Sequence, residues 1–320
     1  MPDIFRDAQS AFGFVRSETQ NIEAEVYKIK YPAFEYGSYI PVVTEGSPWA
    51  SGTTFYTMDT VGKTEWLGNE ANDVPYTDLL RGTGSAPYYA RGGAYRWSLM
   101  ELNRAAMLGI SLGTEKASGT RMVMERFLFD LAMTGDSEKS MKGMINNASV
   151  TAGDVAANGT DTLNTAWSGK TADQIIADIR IGFDAIRTAT RETYLPDTLA
   201  LPPNTYSLLA TKRLSSGGDG TMSVLDYIST VFGKAYNTPF TIRSLRQLTG
   251  ADAGGDGRGV LYQRTREVLR FHLPRPFEFQ PIFQKNSLEW EQVGFAVTGG
   301  TEVRIPAAML YLDGIQDDTP

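Results

Sequence analysis

From Gly259 to Ile315 the apolar residues alternate with polar ones or run together in short blocks, the spacing of strands rather than helices. Val293, Phe295 and Val297 fall on one face, and Thr301, Val303 and Ile305 alternate with Glu302 and Arg304. With Gly299-Gly300 between the two runs, the pattern predicts a hairpin of half-buried strands. A second alternation begins at Thr53, with Phe55, Thr57 and Asp59 opposite Thr54, Tyr56 and Met58. A Gly62-Lys63 turn follows, and Thr64 to Leu67 is the predicted return strand, above a glycine-rich base through Gly82 and Gly84. A two-stranded hairpin is marginal by itself, so a projecting one needs a surface to lie on.

At Ser98 the period changes. Ser98 to Glu101 reads as a capping box, and Leu99, Leu102, Ala106, Ile110, Gly113, Ala117, Met124, Leu128 and Leu131 recur at helical spacing. One long helix is predicted as far as Met133, about 50 Å at the α-helical rise, with Gly109, Gly113 and Gly119 as places to bend or break. After a polar connection from Asn146 to Gly169 a second unit begins. Thr171 to Gln174 opens a helix with the stripe Ile175, Ile179, Phe183 and Ile186. A strand at Thr198 to Leu201, a short helix around Tyr206 to Ala210, and a helix from Val224 to Phe232 stopped by Gly233 follow. Residues 1 to 45 read instead as an extended arm carrying Phe12, Phe14, Tyr31, Phe34 and Tyr36, which must pack on the body or on a neighbouring copy.

Composition narrows the chemistry. A chain of 320 residues is long enough for a stable core or two linked subdomains. The absence of cysteine removes disulfides, thiol nucleophiles and cysteine-based metal sites, and the single histidine, His272, strains any triad or multi-histidine centre. With 37 acidic and 30 basic residues, a net charge of −7 argues against tight wrapping of nucleic acid. No apolar run is long enough to span a bilayer, so no membrane partner is expected.

Each chemical candidate has a plainer reading. Gly62-Lys63-Thr64 imitates the end of a phosphate loop, but Thr57 stands where the first glycine belongs, so a hairpin turn accounts for it better. The two Gly-Gly-Asp-Gly loops, at 217 to 220 and 254 to 257, offer one carboxylate each, too few for calcium. His272 reads as a structural or surface histidine rather than a catalytic one. Glu289 and Glu291 share a strand face, and Arg264, Arg266, Arg270 and Arg275 supply basic partners for ion pairs, intersubunit ones included. No catalytic, cofactor or metal residue is assigned.

Three segments carry a resemblance. Gly143-Met144-Ile145-Asn146 after the long helix looks like the Gly-Leu-Leu-Asn segment of tailed-phage major capsid proteins. Leu199 to Leu209, with Pro202-Pro203, is similar to the strand, double proline and helix of a capsid axial domain. Gly299-Gly300, Val303 to Ala307 and Tyr311 to Ile315 resemble the closing segment of that family.

The resemblance implies an α+β tailed-phage capsid (Johnson) fold, shared with encapsulins. It implies an N-terminal arm at 1–50, an extended loop at 51–92, a peripheral domain at 93–169 and 258–320 with a long spine helix, and an axial domain at 170–257. The implied function is the icosahedral head shell of a tailed bacteriophage around double-stranded DNA, with no enzyme activity. An encapsulin-like compartment around a cargo enzyme is the alternative. Implied partners are many copies of the chain in hexamers and pentamers, a separate scaffolding protein, a portal, decoration proteins, and DNA held by weak non-specific contact. The location implied is the virion, assembled in the host bacterial cytoplasm. Phe12, Phe14, Phe55, Tyr56, Lys63 at the loop turn, and Trp66 are the expected intersubunit contacts.

Overall fold

A computed structural model describes residues 34–66, 76–107, 112–157, 165–214, 222–236, 238–252 and 254–316. Those from Glu35 onward belong to one compact unit. At its centre is a five-stranded sheet, in which Gly257–Tyr262 runs antiparallel to both Met309–Gln316 and Thr198–Leu201. Thr151–Asp154 and Thr241–Ser244 join parallel at the two edges. Val260, Leu261, Leu199, Ala200 and Leu201 are wholly buried, which is why these strands read as unbroken apolar runs.

The helix Ala172–Ala189 packs on this sheet. Thr171 accepts from the Gln174 amide while the Gln174 side chain accepts from the Thr171 amide, completing the expected capping box. Ile175, Ile179, Phe183 and Ile186 then enter one core with Leu201, Leu261 and Leu312. The helix Pro203–Thr211 follows the double proline, and Val224–Ala235 runs through its predicted stop at Gly233. Packing overrides the glycine there: Phe232 meets Phe183 edge-on at 5.7 Å and Tyr236 stacks on the same ring at 4.1 Å.

One expectation for the closing β segment needs correction. The hairpin expected at Gly299-Gly300 is a corner between sheets. Glu289–Thr298 pairs with Tyr89–Ser98, Arg275–Phe279 and Phe283–Asn286, whereas Gly300–Val303 pairs with Leu269–His272, which also takes Val42–Val43 in parallel. Gly300 has a φ of +72°, and a Cβ on Gly299 would lie 2.8 Å from Tyr88 Cδ1, so the chain changes sheets where a side chain does not fit.

The long helix is seen as Leu99–Met107 and Leu112–Met133, on either side of residues 108–111. Ser98 Oγ accepts from the Glu101 amide at 3.2 Å, and the Ser98 backbone amide donates in return to the Glu101 carboxylate, as the capping box requires. The same carboxylate takes Lys116 Nζ at 2.6 Å, tying one helical segment to the other. Met124, Leu128 and Leu131 are buried as expected, while Leu99 is part-exposed. Past the C-terminus the Gly143-Met144-Ile145-Asn146 segment folds back: the Met144 and Ile145 amides donate to Ala132 and Met133 carbonyls, and Asn146 Nδ2 donates to Thr134 O. These bonds satisfy carbonyls that a helix end leaves open.

Candidate assembly surface

Gly52–Val61 and Asp78–Pro87 form a two-stranded antiparallel ribbon in continuous register, from Gly52 opposite Pro87 to Val61 opposite Asp78. The return strand is therefore Asp78–Pro87, not Thr64 to Leu67. Residues 64–66 carry no strand, and Leu67 lies outside the described residues. Gly82 and Gly84, expected at the base, sit within the second strand opposite Thr57 and Phe55. Gly84 is required by the close approach of that aromatic ring, since a Cβ would lie 2.1 Å from Phe55 Cζ.

The expected contact residues divide. Phe55 is half-buried within its own subunit, covering Gly84 on the ribbon and carrying the Arg304 guanidinium 4.2 Å above its ring. Tyr56 is 68% exposed, Trp66 is wholly exposed, and Lys63 is exposed. Phe12 and Phe14 lie outside the described residues. The ribbon also exposes Met58, Val61, Leu79 and Leu80, and Tyr76 beside it is open to solvent. Sequence reading missed the last three because it placed the return strand too early; the apolar pair Leu79-Leu80 was the available signal.

At the foot of the ribbon a buried polar chain links it to the body. His272 is buried, and its Nε2 lies 2.5 Å from Glu302 Oε2; the other carboxylate oxygen takes Arg304 Nε at 2.9 Å. Burial alone would raise the Glu302 carboxyl, but the hydrogen bonds from His272 and Arg304 outweigh it and hold the group below the usual carboxylate range. Glu289 takes the Asn286 side-chain amide and Glu291 takes Lys285 at 3.1 Å. Arg264 donates to Gly37 O, Arg266 reaches Glu45, and Arg275 pairs with Glu278 while stacking on Phe295. Among the described residues no group of three or more His, Cys, Asp or Glu is placed to hold a metal. No described helix is long and apolar enough to cross a membrane.

A sequence family described as Major capsid protein matches residues 62–315. The chain belongs to that family. The capsid subunit shares its fold with the capsid of Myoviridae phage XM1, at 20% identity and a TM-score of 0.78, over 93% of this chain and 98% of that one. A chain of Microbacterium phage Oxtober96 superimposes with a TM-score of 0.62 at 9% identity, covering 94% and 97% of the two chains. The capsid of a native GTA particle gives 0.62 at 11% identity, covering 92% and 93%. No curated protein matches the chain in sequence. The mixed α and β capsid fold expected from sequence is the one observed, and the protein is a major capsid protein of the tailed-phage type that builds a shell from many copies of itself. These matches do not favour the cargo-compartment alternative.

Proposed function

We propose that this capsid subunit closes an icosahedral head around double-stranded DNA by laying the ribbon at residues 52–87 on a neighbouring copy. The observation that carries the reading is a thin ribbon exposing Tyr56, Met58, Leu79 and Leu80, with Trp66 beyond its first strand. A two-stranded element has no interior of its own in which to bury them. Burying one such side chain contributes about 1.5–3 kcal/mol, and a contact repeated in every subunit accumulates over a shell. The same reading takes 1–50 as an arm, 51–92 as the extended loop, 170–257 as the part nearest the capsomer axis, and 93–169 with 258–320 as the peripheral part. Hexamers and pentamers, a separate scaffolding protein, a portal, weakly held DNA and assembly in the host cytoplasm belong to it as well. The work is mechanical and needs no bond-making chemistry.

Replacing residues 58–81 by a short turn tests it. The shortened subunit should keep the circular dichroism spectrum of a folded protein and elute as a monomer, while shells disappear from negative-stain fields. Normal shells from the shortened protein would remove the ribbon from the assembly contact.

A further inference from the structure

Three arginines meet at the foot of the ribbon without a matching set of carboxylates among the described residues. Arg270 lies opposite Glu302 on the neighbouring strand, yet its Nε and Nη2 both donate to the Arg266 carbonyl, at 3.0 and 2.7 Å. Arg304 gives Nε to Glu302 and its guanidinium face to the Phe55 ring. Arg266 reaches Glu45 at 3.4 Å, where both side chains are largely in water. Of the two carboxylates near Arg270, Glu302 is already bound on both oxygens by His272 and Arg304, and Glu45 is a loosely held rim group. Arg304 and Arg266 repel Arg270, whose burial already disfavours its charge.

An oxyanion would relieve that repulsion and match the planar fork of a guanidinium better than a single carbonyl oxygen does. We propose that the face formed by Arg266, Arg270 and Arg304 docks carboxylates of a second copy of this chain, so that the neighbour's contact also braces the ribbon through the Arg304–Phe55 stack. Charge favours this partner: 37 acidic residues against 30 basic ones leave each copy with carboxylates to spare. The inference rests on the shell reading and adds a polar contact to the apolar ribbon.

Arg266→Glu is the first test, because Arg266 is 63% exposed and its loss removes no buried bond. Arg266→Gln, which does not repel Glu45, is the control for charge reversal. Wild type and variants are compared by thermal melting and, at low and high salt, by sedimentation and negative-stain microscopy. The expected result is an unchanged melt for both variants, a loss of shell yield of about tenfold at low salt for Arg266→Glu, and a smaller loss for Arg266→Gln. Wild-type yield should fall toward theirs as salt screens the contact. Variants that assemble like wild type at every salt concentration would overturn this site while leaving the shell reading standing. Normal shells that retain less DNA would overturn it in favour of phosphate as the ligand. A wild type that forms no shells would remove both readings.

Discussion

Glu302 stays charged under cover because His272 and Arg304 each hold one of its oxygens. A carboxyl whose pKa is lowered by folding adds stability above its unfolded value and loses it as pH falls through the lowered one. Glu302→Gln should therefore cost about 1–3 kcal/mol at neutral pH, and its melting temperature should converge on that of wild type in acid. A gap that stays constant across the titration would show that Glu302 contributes no charge-dependent stability. Arg258 and Asp313 make the stronger case: a bidentate pair at 2.6 and 2.7 Å, mostly buried, with Arg258 Nη1 also on Ile145 O. Arg258→Met should cost about 3–5 kcal/mol by stranding Asp313, and adding Asp313→Leu should restore part of it; denaturant melts of the single and double variants measure the difference. Neither the His272–Glu302 contact nor the Arg258–Asp313 pair was legible in the sequence, where the partners stand 30 and 55 residues apart. The structural reading of His272 was legible, since it sits between Phe271 and Leu273 in an apolar strand.

Helices were easier to read than sheet partners. Thr171, Gln174 and the stripe to Ile186 are local, so capping and burial could be read within one turn or a few. The return strand of the ribbon could not, because in Arg81-Gly82-Thr83-Gly84 the one β-branched residue stands between two glycines, which disfavour a strand. Its glycines answer to Phe55 across the ribbon. Gly84→Leu should displace that ring, break the Arg304 stack and speed hydrogen exchange in residues 52–61, while the global melt shifts by less than about 1 kcal/mol. A large loss of global stability would instead make the ribbon part of the folding core. The Gly299-Gly300 corner was misread for a related reason: a glycine pair between alternating runs marks a reversal or a change of sheet equally well, and Tyr88 and Met141, which decide the matter, are remote in sequence.

At the scale of the molecule, the proposed function has shell-building and folding draw on different residues. Trp66→Ala and Tyr56→Ala should leave the subunit's melting within about 0.5 kcal/mol of wild type and still reduce shell yield, which sedimentation would record. Unfolding of either variant would assign these side chains to the subunit core. The general architecture was legible because the closing segment, the double proline and the Gly-Met-Ile-Asn turn keep their order; the allotment of strands to sheets was not, because it depends on pairings as distant as Thr151 with Leu310. That long pairing sets a timetable for birth on the ribosome. Met309–Gln316 lies inside the sheet, between Thr151–Asp154 and Gly257–Tyr262, so synthesis must pass residue 316 before the central layer can close. A nascent chain still short of that point lacks the strand that joins the two sides of its central layer.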